Sequence, residues 1–380
     1  MRNYIEAKVI EFGDKLANQK MVLTNIAARG DHTGVIAHLR TVCQEAEQLL
    51  VRTRRTLALN LPQLFRRHQV DLVRIRARLE FLEEWYLPTL LQEGDEERAV
   101  SRIISRLLDQ LHVPHLADQV VSFSRALSMY PGVPEHPIFF MPRYTRATLL
   151  DWTGLYHEIG HAVHQKFPEI GGSLSNVVLL YCQRQLRHAP ALSTSQLDKR
   201  AERLRQTLLY WNKYRLEELF CDIFATVVAG PAHLMSWVDI SLTSPRDPYR
   251  FDPADEHPPN AARTQACMLA LDEIYADAPL RRSICRLWED FLNPRTKPPL
   301  FDQLCPFLLI MDIVRVAQAE IGHRGFPVFR STLPLPPDSL TYERIDDLQE
   351  LVNVAAVNLI FAPSDFSAWQ QKITGKLFTI

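Results

Sequence analysis

The chain has 380 residues, of which 47% are hydrophobic and 23% charged, as in an ordinary globular protein. A formal net charge of −1 excludes a global electrostatic attraction to nucleic acid or to an acidic membrane. Six scattered cysteines form no C-x-x-C pair, which favours reduced thiols and a cytoplasmic protein. No apolar run approaches the ~20 residues of a membrane span, and the start lacks the apolar core of a secretory signal, so we expect neither.

Residues 1–130 carry apolar side chains at helical spacing, and we predict a helical N-terminal region. Helix breaks are expected near Gly30, Pro62 and Gly94. The segment 51–79 is rich in arginine, a pattern more often found on a solvated helix face than on a nucleic-acid surface. We therefore do not expect a nucleic-acid partner.

A segment dense in proline and glycine, residues 129–137, is typical of a linker. The apolar residues 138–141 that follow it are bounded by prolines and predict a short strand. We accordingly divide the chain into a helical N-terminal region (1–130), a core (131–280) and a helical C-terminal region (281–380).

The core contains the motif His157-Glu158-Ile159-Gly160-His161. Two histidines four residues apart lie on one side of a helix, so both imidazoles can reach one metal ion, with Zn²⁺ as the expected ion. Glu158 lies about 100° further round the helix, where it can take a proton from a water at the open metal position. The flanks are apolar on most faces, which predicts a buried helix whose polar groups need partners.

The third metal ligand is expected on a second apolar helix, where Glu218 and Asp222 are again four residues apart. We predict Glu218 as the ligand and Asp222 as the acceptor for the free ring N–H of His157. Two alternatives are that Glu218 is exposed with its neighbour Glu217, or that Asp222 pairs with Arg215 or Lys213. Between the two motifs we predict a turn at residues 171–172 and a long helix over 195–229, kinked near residues 211–212.

A further pattern is His257-Pro258-Pro259, followed by Arg263. The prolines hold His257 extended just before a helix, where His257 and Arg263 can stabilise a developing oxyanion. The alternative is an ordinary turn with a surface histidine.

These three patterns together resemble the gluzincin metallopeptidases, and most closely the family of CAAX prenyl endopeptidases and heat-shock membrane metalloproteases. The order of the motifs and the 56 residues between His161 and Glu218 suit that family. The resemblance covers about residues 135–280. It implies zinc bound by His157, His161 and Glu218, catalysis by Glu158, and substrate-side roles for His257 and Arg263. In such enzymes a strand before the zinc helix borders the cleft, so residues 138–141 could pair with a substrate peptide.

We therefore predict a mainly α-helical protein with a zincin-like core and a short β element. The predicted function is that of a zinc endopeptidase acting on a protein or peptide substrate, with a protein activator as one means of regulation. One alternative is a non-catalytic helical binding or regulatory module with a structural metal. Another is a zinc hydrolase of a non-peptide amide.

Overall fold

The structure is a computed structural model that describes residues 2–30, 32–59, 61–92, 95–113, 120–124, 128–130, 138–142, 149–187, 194–244, 246–252, 255–275, 279–330, 338–342 and 347–377. These residues are mainly helical with three short strands, so the predicted fold class is confirmed. They form two compact units, the first made of residues 1–109 and 113–141, the second of residues 110–112 and 142–380. Among the described helices, none is long and apolar enough to cross a membrane.

The elements of the first unit are α1 (Arg2–Ala27), α2 (Thr33–Ala58), α3 (Phe65–Phe81), α4 (Leu87–Gln92), α5 (Asp95–Gln110), β1 (Val120–Ser124), β2 (Ser128–Tyr130) and β3 (Ile138–Pro142). The first three helices pack around one apolar core that includes Leu16, Leu39 and Ile75. The predicted breaks near Gly30, Pro62 and Gly94 all fall between helices.

The predicted strand over residues 138–141 is present as β3. It is the central strand of the order β1-β3-β2, and it pairs antiparallel with β2, so that Phe139 lies opposite Met129. Both sides of β3 are therefore already hydrogen-bonded to neighbouring strands. Over residues 138–140 both edges of β3 are thus occupied by strands of this chain, which argues against the hypothesis that a substrate peptide pairs with it there. Residues 131–137 of the predicted linker lie outside the described residues.

The helices of the second unit are α6 (Thr153–Lys166), α7 (Glu169–Arg187), α8 (Thr194–Tyr210), α9 (Lys213–Ala229), α10 (Pro231–Thr243), α11 (Asn260–Tyr275), α12 (Pro279–Leu292), α13 (Pro299–Leu304), α14 (Phe307–His323), α15 (Leu348–Phe361) and α16 (Pro363–Leu377). A 3₁₀ turn, Leu149–Trp152, leads directly into α6. The described part of the predicted C-terminal region, from residue 281 on, belongs to the same unit as the two motif helices.

Helix α9 lies at the centre of the second unit, in contact with α6, α7, α11 and α14. It is buried almost throughout, with side chains such as Phe220, Ile223 and Phe224 fully inaccessible. This is the burial expected of a helix that is apolar on most faces. Two carboxylates, Glu218 and Asp222, are buried within it, and each must be compensated by other groups.

The kink predicted near residues 211–212 is a complete break between α8 and α9. Asn212 begins α9, because its side-chain oxygen accepts hydrogen bonds from the backbone N–H groups of Tyr214 and Arg215, both at 3.1 Å. Trp211 is fixed at the break by its indole N–H, which donates to the carbonyl of Leu304 at 2.7 Å.

The turn predicted at Gly171 and Gly172 is wrong, since both glycines lie inside α7. A close contact accounts for one of them. A β-carbon built at Gly171 would lie 3.1 Å from Nε2 of His164 on α6, so a larger residue there would require the His164 side chain to shift. The first glycine therefore reflects helix packing rather than a change of chain direction.

Candidate metal centre

The centre is built where α6 packs against α9. Gly160 faces Cys221 at this crossing, and without a side chain on Gly160 the two backbones come close together. The motif histidines of α6 consequently lie beside the carboxylates of α9. The segment just before α11 adds His257 from a third direction.

Three imidazoles present their Nε2 atoms to the carboxylate of Glu218. Nε2 of His157 lies 3.3 Å from Oε2, and Nε2 of His161 lies 3.4 Å from Oε1. Nε2 of His257 lies 3.2 Å from Oε2. The two predicted histidine ligands and the predicted glutamate ligand are thus neighbours, with His257 beside them.

The other ring nitrogen of each histidine is held by its own carboxylate. The Nδ1 contacts are His157 to Asp222 at 2.9 Å, His161 to Glu217 at 3.0 Å, and His257 to Asp255 at 2.6 Å. A carboxylate only accepts, so each Nδ1 carries the proton and donates it. Metal-binding histidines are typically oriented in this way, with Nε2 left for the ion.

The Oε2 atom of Glu218 is buried and accepts no hydrogen bond from any described residue. Nitrogens of His157, His257 and Arg263 lie 3.3, 3.2 and 3.5 Å away, without the geometry of a hydrogen bond. An orphaned buried carboxylate oxygen is costly, and a bound cation would satisfy it. The donor set of imidazole nitrogens and one carboxylate is the set that Zn²⁺ prefers, so these residues fit a zinc ion.

Cys221 offers a different third ligand. Within the described residues, ligand atoms of His157, His161 and Cys221 all lie within 4.8 Å of one another. Burial, and then the nearby carboxylates with Glu218 first among them, raise the pKa of the Cys221 thiol well above its ordinary value. We favour Glu218, because two of the oriented Nε2 atoms of α6 face its carboxylate and because the thiol is held protonated.

Asp222 anchors the buried side of the centre. Its Oδ2 accepts from Nε of Arg263 at 2.5 Å, and its Oδ1 accepts from Nη2 of Arg263 at 2.9 Å and from the indole N–H of Trp237 at 3.1 Å. The guanidinium also lies over the Trp237 ring, 3.9 Å from its centroid. The contact between Asp222 and His157 expected from the sequence is present, whereas the ion-pair partner of Asp222 is Arg263 and not Arg215 or Lys213.

The burial and the ion pair of Arg263 decide between the two roles open to it, contact with an oxyanion and orientation of the centre. Its side chain is 4% exposed and forms a two-pronged ion pair with Asp222. A guanidinium held in this way stabilises Asp222 and, through it, the ring of His157. This position favours an orienting role for Arg263 over direct contact with an oxyanion.

The electrostatics of the centre follow from this network. Burial by itself lowers the pKa of His157, but its hydrogen bond with Asp222 and its proximity to the carboxylate of Glu218 outweigh that effect and raise the pKa to about 10. Burial by itself raises the pKa of Glu218, but the proximity of His157, followed by Arg263 and His161, lowers it to about 2. For Asp222 the charge of Arg263 is the main effect opposing burial, and the pKa falls well below its ordinary value. The centre therefore holds ionised carboxylates that attract a cation.

Glu158, the predicted catalytic base, is partly exposed on α6. No hydrogen bond or ion pair to it is found within the described part of the chain. It differs in this respect from Glu217 and Asp222, which hold histidine rings. A carboxylate without such a partner, next to the two motif histidines, is available to a substrate or a water.

A cavity of about 320 Å³ adjoins the centre on the side of His257. Its lining includes Trp237, Arg246, Asp255 and Arg263 as well as His257 itself. This volume is at the lower end of the range for small-molecule or side-chain binding pockets. The cavity therefore opens beside His257, whose Nε2 faces Glu218.

Sequence reasoning missed two of the three carboxylates that hold histidine rings. The sequence patterns indicate Glu217 only as an exposed neighbour of Glu218, and they predict no role for Asp255. A signal was present for Asp255, which lies two residues before His257, where an aspartate side chain commonly bonds to the local backbone. Glu217 gave no such signal, because its partner His161 is distant in sequence.

Comparison with protein-family models, curated protein sequences and solved structures gave no match for this chain. Its function must therefore be inferred from its own residues and their geometry.

Proposed function

We propose that this protein is a zinc-dependent peptidase that hydrolyses peptide bonds of a protein or peptide substrate. One observation carries the proposal: the imidazoles of His157 and His161, each oriented by a carboxylate, face Glu218, whose Oε2 is buried without a hydrogen bond. Such a site favours a divalent cation. The adjacent Glu158 distinguishes a hydrolytic site from a purely structural one, because a structural site has no use for a free carboxylate.

Each residue has a defined task in this proposal. Zinc, when bound by His157, His161 and Glu218, supplies the Lewis acidity that polarises a scissile carbonyl. Glu158 takes a proton from the attacking water and passes it to the leaving amine. Asp222 fixes the His157 ring so that its Nε2 atom stays directed at the ion.

The proposal is tested by the Glu158→Gln variant, assayed on an unstructured protein such as casein. Glutamine keeps the size of the side chain but cannot accept the proton, so we expect hydrolysis to fall by a factor of ~10²–10⁴. Zinc content should be unchanged, since Glu158 is not a ligand. The exposed α8 residue Glu202 provides the control, Glu202→Gln, which should keep full activity. Undiminished hydrolysis by Glu158→Gln would reject this mechanism.

The proximity of Cys221 favours a second candidate, a non-catalytic module in which the metal is structural. A site of His157, His161 and Cys221 with one further ligand would resemble closed structural zinc sites. Zinc content separates the two candidates. If Glu218 is the third ligand, the Cys221→Ala variant should retain zinc. If Cys221 is the third ligand, the Glu218→Ala variant should retain it.

Hydrolysis of a non-peptide amide would use the same residues in the same way. A library of acylated amines, assayed beside peptides, separates the two substrate classes. We expect turnover of the peptides, because the cavity next to His257 opens to solvent and can admit a side chain of an extended chain.

A further inference from the structure

We propose that His257 is a fourth protein ligand of the metal, so that the resting site is closed by a histidine that must leave before a substrate can bind. This inference rests on the zinc site of the proposed function. It assigns to His257 a role that the sequence patterns did not suggest, since they placed His257 on the substrate side.

The first observation is the direction of the ring. His257 donates its Nδ1–H to Oδ1 of Asp255 at 2.6 Å, which leaves Nε2 as the ring nitrogen available to another partner. Nε2 faces Oε2 of Glu218, 3.2 Å away, without the geometry of a hydrogen bond. A metal ion between these two atoms would be bound by both.

The second observation is that His257 repeats the arrangement of the two ligand histidines. In each of the three, Nδ1 is held by a carboxylate and Nε2 lies 3.2–3.4 Å from an oxygen of Glu218. His157 and His257 face the same oxygen, Oε2. If this pattern identifies His157 as a ligand, the same pattern identifies His257 as one.

The third observation is that the segment carrying His257 is tied to the helix carrying Glu218. Arg215 on α9 donates from Nη2 to the backbone carbonyl of Asp255 at 2.8 Å, and from Nη1 to the carbonyl of Tyr210 at 3.1 Å. Asp255 in turn accepts from the backbone N–H of His257 at 3.0 Å. Because Arg215 lies one turn before Glu218, these contacts help to set the spacing between His257 and Glu218.

His257 is also the ligand best placed to leave. Its side chain is 49% exposed, against 11% for His157 and 21% for His161. It lies in a non-helical segment and lines the cavity beside the centre, whereas the other two are fixed on α6. Withdrawal of His257 into that cavity would free one position on the metal for a substrate.

The test is zinc X-ray absorption spectroscopy, which counts imidazole ligands directly. We expect three imidazoles in the zinc-loaded wild-type protein and two in His257→Ala, where an oxygen ligand replaces the third. The control is His323→Ala, which removes an exposed histidine at the end of α14 and should leave three. Because His257 is half-exposed, its removal should not prevent folding. Added imidazole should restore the wild-type spectrum of His257→Ala.

The Asp255→Asn variant provides a second measurement. It keeps His257 but replaces the carboxylate that holds its Nδ1, so we expect the third imidazole to be lost or partly occupied. Two imidazoles in the wild-type protein would overturn the role of His257 and leave the proposed function standing, provided that hydrolysis still depends on Glu158. A wild-type protein that binds no zinc would overturn both.

Discussion

A β-carbon at Gly160 would lie 2.9 Å from the Cα atom of Cys221, which makes this pair the close contact on which the crossing of α6 and α9 depends. The obstructing atom belongs to the backbone, so no side-chain rotation can relieve the clash. Every distance between the motif histidines and Glu218 depends on this crossing.

We therefore expect Gly160→Ala to force the two helices apart, at a cost of about 1–3 kcal/mol in unfolding free energy from overpacking. Zinc binding should weaken as well. The control is Gly172→Ala on α7, where a β-carbon meets nothing within 4 Å. There alanine should be neutral or stabilise by up to about 1 kcal/mol, as its helix propensity predicts. Urea unfolding of both variants measures the difference, and equal stabilities would contradict the proposed crossing.

Asp222→Asn tests the carboxylate that orients His157. Asparagine keeps the shape but removes the charge that faces Arg263, which is then buried without its partner. We expect about 3–5 kcal/mol of destabilisation from breaking a buried ion pair. Zinc affinity should also fall by about 10–100-fold, the usual cost of losing a partner that orients a metal ligand. Chelator competition measures the affinity, and an unchanged value in folded protein would show that Asp222 does not act on the metal.

The raised pKa of His157 makes zinc binding depend on pH. Its pKa of about 10 in the metal-free protein means that zinc must displace a proton from it at neutral pH. Affinity should therefore rise as the pH rises toward 10, and binding at pH 8 should release about one proton. Calorimetry in two buffers of different ionisation enthalpy counts the proton. Heats independent of the buffer would mean that His157 is already neutral.

The same shift affects the stability of the metal-free protein. A histidine whose pKa is raised in the folded state stabilises that state fully below its unfolded value of about 6.5. That contribution is lost as the pH rises through about 10. As the pH is raised from about 6.5 to about 10, the urea midpoint of chelator-treated protein should therefore decrease. The decrease should be larger in the wild type than in His157→Gln.

Asn212→Ala tests the start of the glutamate helix. Loss of the two accepted hydrogen bonds should cost about 0.5–2 kcal/mol in unfolding free energy. Asn212→Asp keeps the accepting oxygen and should retain most of the stability, which urea unfolding can establish. An alanine variant as stable as wild type would mean that the tertiary contacts of Trp211 alone determine where α9 begins.

Local chemistry determines some features of the fold and not others. A kink near residues 211–212 could be predicted because a helix over 195–229 is unusually long, and in the structure Asn212, a local capping residue, turns it into a break. The pairing of His157 with Asp222 could be predicted because both spacings follow the helical repeat. The turn predicted at Gly171 and Gly172 is wrong, because Gly171 lies against His164 on another helix and does not mark a change of chain direction.

Tertiary contacts also explain what the sequence could not reveal about the centre. The pairing of His161 with Glu217 depends on how α6 and α9 cross. The position of Arg263 against Trp237 depends on the packing of α10 against α11. Neither contact follows from spacing along the chain. The sequence patterns therefore predicted that His157, His161 and Glu218 lie together, but they did not reveal most of the residues that support this cluster.

The most direct test of the metal centre is the zinc content of purified protein, measured by elemental analysis after zinc loading and desalting. We predict about one zinc per chain in the wild type and in the control His323→Ala, as a single catalytic site requires. We predict its loss in both His157→Ala and Glu218→Ala. Wild-type protein without zinc, or zinc retained in both ligand variants, would contradict the account.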